Sequence, residues 1–386
     1  MDFSQSWTLI RFLKEKLGNS IFLSGESCLL NLNKEYGRIG ELTVCVSSPL
    51  SFEAIKKKLQ KLGIERSFIC EKKNFLLIVT KNSEVIRIVK YNTGLELNRL
   101  HSMLPWPLCL KYYASDDLVL QYKHDELSFN SPKVLPTSLF YYPEEIFMKL
   151  IRISYDINSK VRFDGYPLSD LDHVVDYRIL GVEMDQVLMS HFAGDILRKY
   201  NRFNILNPIC KELSQMLRIP QKKNREKLNL FEHSVQVTEN CAPNLIARWA
   251  SLFHDVGKIH TMKYSKLTGK YTFRNHEVVG SKIAKEVLNR FGHYSISERV
   301  SNLVRLHMMP GQYQRTPNWT QEAIQRLKKA AHGDEILLIE LGIADKLAAQ
   351  KNIKTLQNLH NLRNKMHDVA FVNSEVTKIS NNMIKL

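Results

Sequence analysis

Ligand-type side chains recur at wide intervals inside apolar, helix-patterned stretches of this chain: His233 in LFEHSVQVTEN, His254-Asp255 in SLFHDVGKIH, His276 in FRNHEVVGSKIAKEVL, His307 in LVRLHMM and Asp345 in ELGIADKLAA. A carboxylate set among Ile343, Ala344 and Leu347 is costly to bury unless a cation or a hydrogen-bond donor meets it. The chain must therefore fold so that these helices bring their polar groups to one another. His233 lies twenty-one positions before His254, the right distance for two adjacent antiparallel helices and a loop. The doublet alone says nothing, because His124-Asp125 and His367-Asp368 repeat it. One of those falls beside a linker and the other close to the tail, and neither has such companions.

Imidazoles and carboxylates without thiolates suit a divalent transition metal or magnesium, and Mn, Ni or Mg is the expected ion. A metal set of His233, His254, Asp255, His276, His307 and Asp345 is large enough for two ions, with Asp255 able to bridge them. Such ions supply a hydroxide nucleophile at neutral pH and offset charge on a phosphate. Lys258, one turn after His254, can reach a phosphate oxygen as a point charge. Asp255 and Lys258 are the candidate catalytic residues. A single histidine in an apolar helix is ordinarily a core or surface residue; the set of six is what points to a centre.

Composition narrows the setting. With 386 residues and 44% hydrophobic content, the chain can bury the cores of two or more domains. No run of about 18 uncharged apolar residues is present, and MDFSQSW has neither a secretory nor a transit-peptide pattern, so a soluble, cytoplasmic protein with no membrane partner is expected. Cys28, Cys45, Cys70, Cys109, Cys210 and Cys241 form no C-x-x-C pair and read as reduced core residues. The net charge of +16 would draw the chain to polyanions, with RNA the expected partner. QKKNREK, with Lys222, Lys223, Arg225 and Lys227, is the candidate RNA-binding cluster. The sequence leaves the oligomeric state unknown.

The periodicities give an α+β protein: a small mixed α/β head followed by an all-α body. IFLSG, ELTVCVSS, FLLIVT and EVIRIVKY read as strands, and SFEAIKKKLQKLGI places Phe52, Ile55, Leu59 and Leu62 at helical spacing. SFNSPKVLPTS reads as a linker. From about 143 onward the pattern is helical almost throughout: EEIFMKLIRISYDI, a stretch near 185–200, then 232–254, 276–291, 296–307, 320–331 and 334–350. The expected divisions are a head over 1–127, a helical neck and body over 143–220, the ligand-bearing helical domain over 221–370 and a polar tail over 371–386.

His233, His254-Asp255 and Asp345 match the H…HD…D pattern of the HD-domain metal-dependent phosphohydrolases, and His276 and His307 match the extra histidines of members that hold two metals. The wording FEHSVQVTEN, ARWASLFHDVGK, NHEVVGSKIAKEVLNRF, WTQEAIQRLKKA and ADKLAA resembles the C-terminal HD region of bacterial CCA-adding tRNA nucleotidyltransferases, over roughly 228–350. That resemblance implies a nucleotidyltransferase-like head, and there the match is broken. Glu41 and Thr43 stand where the family has two carboxylates that hold magnesium. Gly25 alone remains of a Gly pair, Cys28-Leu29 replaces Arg-Asp, and RLHSMLPW occupies the place of an Arg-Asp-Phe-Thr-Ile-Asn segment. Met148, Ile151 and Ser154 stand in place of arginines, and Met184 replaces the arginine that templates the incoming base. The resemblance implies an inactive head on an HD phosphohydrolase acting on RNA 3′ ends or nucleotides, of the 2′,3′-cyclic phosphodiesterase or phosphatase type, with tRNA or an RNA 3′ end as partner. The alternatives are nucleotide addition to tRNA (CCA or A) and a non-catalytic RNA-binding protein.

Overall fold

The structure, a computed structural model, describes residues 3–17, 21–24, 40–91, 112–113, 127–128, 143–156, 161–162, 176–223, 226–315, 319–349 and 356–366. It is a mixed α/β head with a small sheet followed by a mostly helical body, as the periodicities predict. The chain divides into two compact units, Met1–Gln186 and Val187–Leu386.

In the first unit, α1 (Phe3–Leu17) precedes β1 (Ile21–Ser24), β2 (Glu41–Val46), α2 (Phe52–Lys58), β3 (Ile64–Cys70), β4 (Phe75–Thr80), β5 (Val85–Lys90) and β6 (Tyr112–Tyr113). The sheet runs β3-β4-β5-β2-β1-β6, with only β2 and β5 parallel among its pairs. β2 and β4 are buried along their whole length, so their near-continuous apolar runs reflect cover on both faces rather than one. Leu42, Val44, Leu76, Ile78, Ile86 and Ile88 meet α1 and α2 on one side. On the other, Cys45, Phe75, Leu77, Val85 and Val89 meet Ile146, Leu150 and Ile153 of α3 (Pro143–Asp156) and Ile179 and Val182 of α4 (Tyr177–Met189). Each such aliphatic contributes about 1.5–3 kcal/mol on burial. β7 (Leu127–Ser128) and β8 (Val161–Arg162) form a short parallel pair.

The second face also carries charge. Glu41 accepts from Thr43 Oγ1 at 2.7 Å, from Arg87 Nε at 2.9 Å and from Lys149 Nζ at 3.1 Å, and it is 1% exposed. Arg87 also pairs with Glu145, and Lys149 and Arg152 both reach Glu183, at 3.1 and 2.6 Å. Three buried carboxylates thus face three buried cations, linking β2 and β5 to α3 and α4. Arg152 packs over Gly40, where a Cβ would lie 2.7 Å from its guanidinium nitrogens.

The second unit continues with α5 (Ala193–Arg202), α6 (Leu206–Ile209), α7 (Lys211–Met216), the hairpin β9 (Pro220–Lys223) and β10 (Glu226–Asn229), α8 (Leu230–Asn240), α9 (Leu245–Phe253) and α10 (Lys258–Thr261). A second hairpin, β11 (Lys263–Ser265) and β12 (Lys270–Thr272), leads to α11 (His276–Arg290), α12 (Tyr294–Leu306), α13 (Met309–Arg315), α14 (Gln321–Ala331) and α15 (Glu335–Ala348), with a further helix over 356–366. α8 and α9 each start behind an asparagine cap, Asn229 accepting from the Glu232 amide at 2.8 Å and Asn244 from the Ala247 amide at 3.1 Å. α9 is the central element, buried from Ile246 to Phe253 and packed against α8, α12 and α15. Trp249 is stacked on Phe253 at 5.7 Å and lies 5.8 Å from Phe291, anchoring α9.

Several expectations need correction. The region after 143 is helical almost throughout, as expected, but the gaps between the expected helices hold two β-hairpins that the periodicities do not give, and one is the stretch that carries Lys222, Lys223 and Lys227. The run QKKNREK has no apolar residue to set a period, so only the backbone pairing shows the ribbon. The expected helix near 185–200 is two helices broken at Ser190–Phe192. β3, half-buried along most of its length with Glu65 and Arg66 side by side, and the terminal α1 escaped the strand and helix patterns. Cys45, Cys210 and Cys241 are buried thiols, Cys70 is a half-buried one, and Cys28 and Cys109 lie outside the described residues. So do Gly25, Leu29, RLHSMLPW, most of the linker and the polar tail.

Candidate metal centre

All six expected ligand residues converge within the second unit. His233 comes from the first turn of α8, His254-Asp255 from the end of α9, His276 from the start of α11, His307 from the end of α12 and Asp345 from the last turn of α15. They form two groups, His233, His254 and Asp345 in one and Asp255, His276 and His307 in the other, each with its ligand atoms within 4.8 Å.

Asp255 lies between them. Its Oδ2 is 3.2 Å from His254 Nε2 and 3.8 Å from His233 Nε2, while its Oδ1 is 3.2 Å from His276 Nε2 and 3.6 Å from His307 Nε2. One carboxylate oxygen therefore faces each group. His233 Nε2 lies 3.2 Å from Asp345 Oδ1, and Lys346 Nζ donates to Asp345 Oδ2 at 2.5 Å.

The ring orientations are set locally. Nδ1 of His254, His276 and His307 meets the backbone carbonyl three residues earlier, of Ser251, Phe273 and Val304, at 2.8, 2.7 and 2.6 Å. A carbonyl only accepts, so each Nδ1 donates and, in the neutral ring, Nε2 keeps its lone pair for the interior. Nε2 of His254 and of His276 is buried without a hydrogen-bond partner. Lone pairs thus face a carboxylate at just over 3 Å, which only a cation or a shared proton relieves. The donor set fits divalent metal ions on that ground.

The electrostatics point the same way. Burial would raise the Asp255 carboxyl, but Lys258 and His254 outweigh it and hold it well below the usual carboxylate range. Asp345 is likewise held down against burial, by His233 and Lys346. Burial lowers His276 less than Asp255 raises it, so it moves up, whereas the nearly enclosed His307 is pushed down by burial. Lys258 Nζ donates to Asp255 Oδ2 at 2.7 Å and rests 5.3 Å from the centre of the Phe273 ring.

One packing detail fixes the two groups relative to each other. Gly257, two residues after Asp255, lies against α11 so closely that a Cβ there would be 2.0 Å from the His276 carbonyl oxygen and 2.5 Å from the Gly280 amide nitrogen. Backbone meets backbone, which only a glycine allows. Sequence reading missed this contact, together with Lys346 and Phe273; the GK after the doublet was the available signal. Lys222 lies opposite Lys227 across the β9–β10 hairpin, and Arg225 is outside the described residues. Asp125 and Asp368 are outside them too.

Residues 230–350 match the family model described as HD domain. An A-adding tRNA nucleotidyltransferase of Deinococcus radiodurans is 34% identical over 88 residues, 21% of this chain and 20% of that protein. A CC-adding tRNA nucleotidyltransferase of Thermus thermophilus is 34% identical over 134 residues, 33% of this chain and 30% of that protein. The chain therefore covers less than a third of either curated relative. Among solved structures, a CCA-adding enzyme in its apo form I matches with a TM-score of 0.43 and 10% identity over 96% of this chain and 86% of that one.

Proposed function

We propose that this chain, a relative of the tRNA nucleotidyltransferases that carries an HD domain over residues 230–350, is a metal-dependent phosphohydrolase acting on RNA 3′ ends or nucleotides. The observation that carries the reading is the convergence of five helices on two groups of nitrogen and oxygen ligands with unpartnered lone pairs between them. His233, His254 and Asp345 would hold one divalent ion, His276 and His307 a second, and Asp255 would bridge the two; Mn, Ni and Mg all suit such donors. Bound ions of this kind supply a hydroxide nucleophile at neutral pH and offset charge on a phosphoryl oxygen. The backbone carbonyls hold the imidazoles in one tautomer, so no reorientation is needed when a ligand arrives. Lys258, 15% exposed at its side chain, brings a positive charge to the rim where a phosphate oxygen can meet it.

The relatives' names favour a second reading, nucleotide addition to tRNA. Against it stands Glu41. Its two oxygens are already engaged by Thr43, Arg87 and Lys149, it is buried, and Thr43 offers no second carboxylate. Lys149 and Arg87 already supply the positive charge that those carboxylate oxygens take. Among the described residues no helix is long and apolar enough to cross a membrane, and an RNA-end substrate goes with a cytoplasmic protein.

The test is to offer the purified protein 2′,3′-cyclic nucleotides, 2′- and 3′-phosphorylated RNA ends and nucleoside triphosphates with Mn²⁺, Ni²⁺ or Mg²⁺. The expected result is hydrolysis at the 2′ or 3′ position that chelator abolishes. Silence on every substrate with metal bound would overturn the reading, and cleavage of triphosphates alone would remove RNA ends from it.

A further inference from the structure

The metal centre has a rim that the hydrolytic reading does not use. From Val256 to His276 the chain holds Lys258, Lys263, Lys266, Lys270 and Arg274 and no aspartate or glutamate. The β11–β12 hairpin lies in the middle of this segment, with Tyr264 directly opposite Tyr271. The two rings meet edge to face at 5.4 Å, and the side chains are 59% and 48% exposed. Lys263 and Lys270 stand on the alternate ribbon positions, and Lys266 lies in the turn. Among the described residues, none of Lys263, Lys266, Lys270 and Arg274 is in an ion pair with a carboxylate.

Both ends of the ribbon are tied to the centre. β11 starts five positions after Lys258, and β12 ends four positions before His276. At no more than about 3.5 Å per residue, Thr272 lies within about 14 Å of His276. Phe273, between ribbon and ligand, gives its carbonyl to His276 Nδ1 and its ring to Lys258. Their cross-strand contact stabilises the ribbon by no more than about 1 kcal/mol, which leaves two large aromatic faces in water on a segment without a carboxylate of its own. A base has a π-face that stacks on tyrosine, and its phosphates are drawn by the unpaired lysines within a Debye length of them.

We propose that the β11–β12 hairpin is a binding platform for single-stranded RNA, on which Tyr264 and Tyr271 stack bases next to the metal centre while Lys263, Lys266, Lys270 and Arg274 hold the backbone. The proposal deepens the hydrolase reading and rests on it only for what happens to the phosphate. A paired end would hide its base faces, so the platform selects unpaired ends over duplex.

The experiment measures equilibrium binding of a short fluorescein-labelled single-stranded RNA, and of a blunt duplex of the same length, to the full chain in EDTA, where no hydrolysis can occur. Tyr264→Ala/Tyr271→Ala should weaken single-strand binding about five- to a hundredfold, the range for losing a stacked base, and Tyr264→Phe/Tyr271→Phe should restore it. Lys263→Ala/Lys266→Ala/Lys270→Ala should weaken binding and flatten its salt dependence, while the exposed Lys329→Ala on α14 should do neither. Equal affinity for duplex, or a tyrosine-to-alanine variant that binds as well as the parent, would overturn the proposal. So would binding to phosphatidylserine vesicles that the tyrosine change abolishes with RNA binding intact, which would give the hairpin to a membrane surface. Hydrolysis of 2′,3′-cyclic nucleotides by the parent, scored separately, tells failure of the platform from failure of the hydrolase reading.

Discussion

Asp255 is the residue on which the centre turns, because each of its oxygens faces a different group of imidazoles. Replacing it by the isosteric asparagine keeps the volume and removes the charge that two cations would share. Asp255→Asn should therefore lower metal content, measured by elemental analysis of the purified protein, from one or two ions per chain to near none. Asp368→Ala, in the doublet without companions, should leave it unchanged. Lys258 separates binding from chemistry. Its ammonium meets both Asp255 and the face of the Phe273 ring, so Lys258→Ala should retain metal while slowing turnover about a hundredfold, in the range for losing one donor to a developing negative charge. Loss of metal in that variant would make the lysine a structural partner of Asp255 instead.

At the scale of the element, the head is held by its buried ions. Arg87 on β5 meets Glu41 on β2 and Glu145 on α3, and Lys149 and Arg152 of α3 meet Glu183 on α4. Breaking a buried pair by removing one partner costs about 3–5 kcal/mol, since the remaining charge has no water to return to. Arg87→Met should lower the first urea unfolding transition by about that amount, and a change within experimental error would show that water reaches the cluster. This network also shows what the sequence can and cannot tell. β2, β4, β5 and the helices of the second unit are legible because their apolar residues keep a period or run unbroken. The six side chains of the candidate centre are legible because a polar or charged group in an apolar helix has to be explained. The partners of Glu41 are not, since Arg87, Lys149 and the rest lie far apart in the chain and each alone reads as an ordinary surface charge. The hairpins escape for a related reason: their mostly polar residues carry no apolar period, and only cross-strand pairing defines them.

The whole molecule carries +16, and a protein that neutralises several phosphates releases a comparable number of counterions. RNA affinity should fall steeply with salt. The quadruple change Lys222→Ala, Lys223→Ala, Arg225→Ala and Lys227→Ala should reduce that slope if the β9–β10 hairpin joins the RNA surface, and a slope left unchanged would remove it. The larger question is which of the two units does chemistry. It is answered most directly by measuring, in one preparation, release of phosphate or opening of the ring from a 2′,3′-cyclic-ended RNA and incorporation of CTP and ATP into a tRNA lacking its 3′ end. The expected result is metal-dependent hydrolysis that His254→Ala and Asp345→Ala abolish, with no incorporation. Robust incorporation lost in a folded Glu41→Gln variant, beside hydrolysis that is absent or indifferent to His254→Ala, would contradict it.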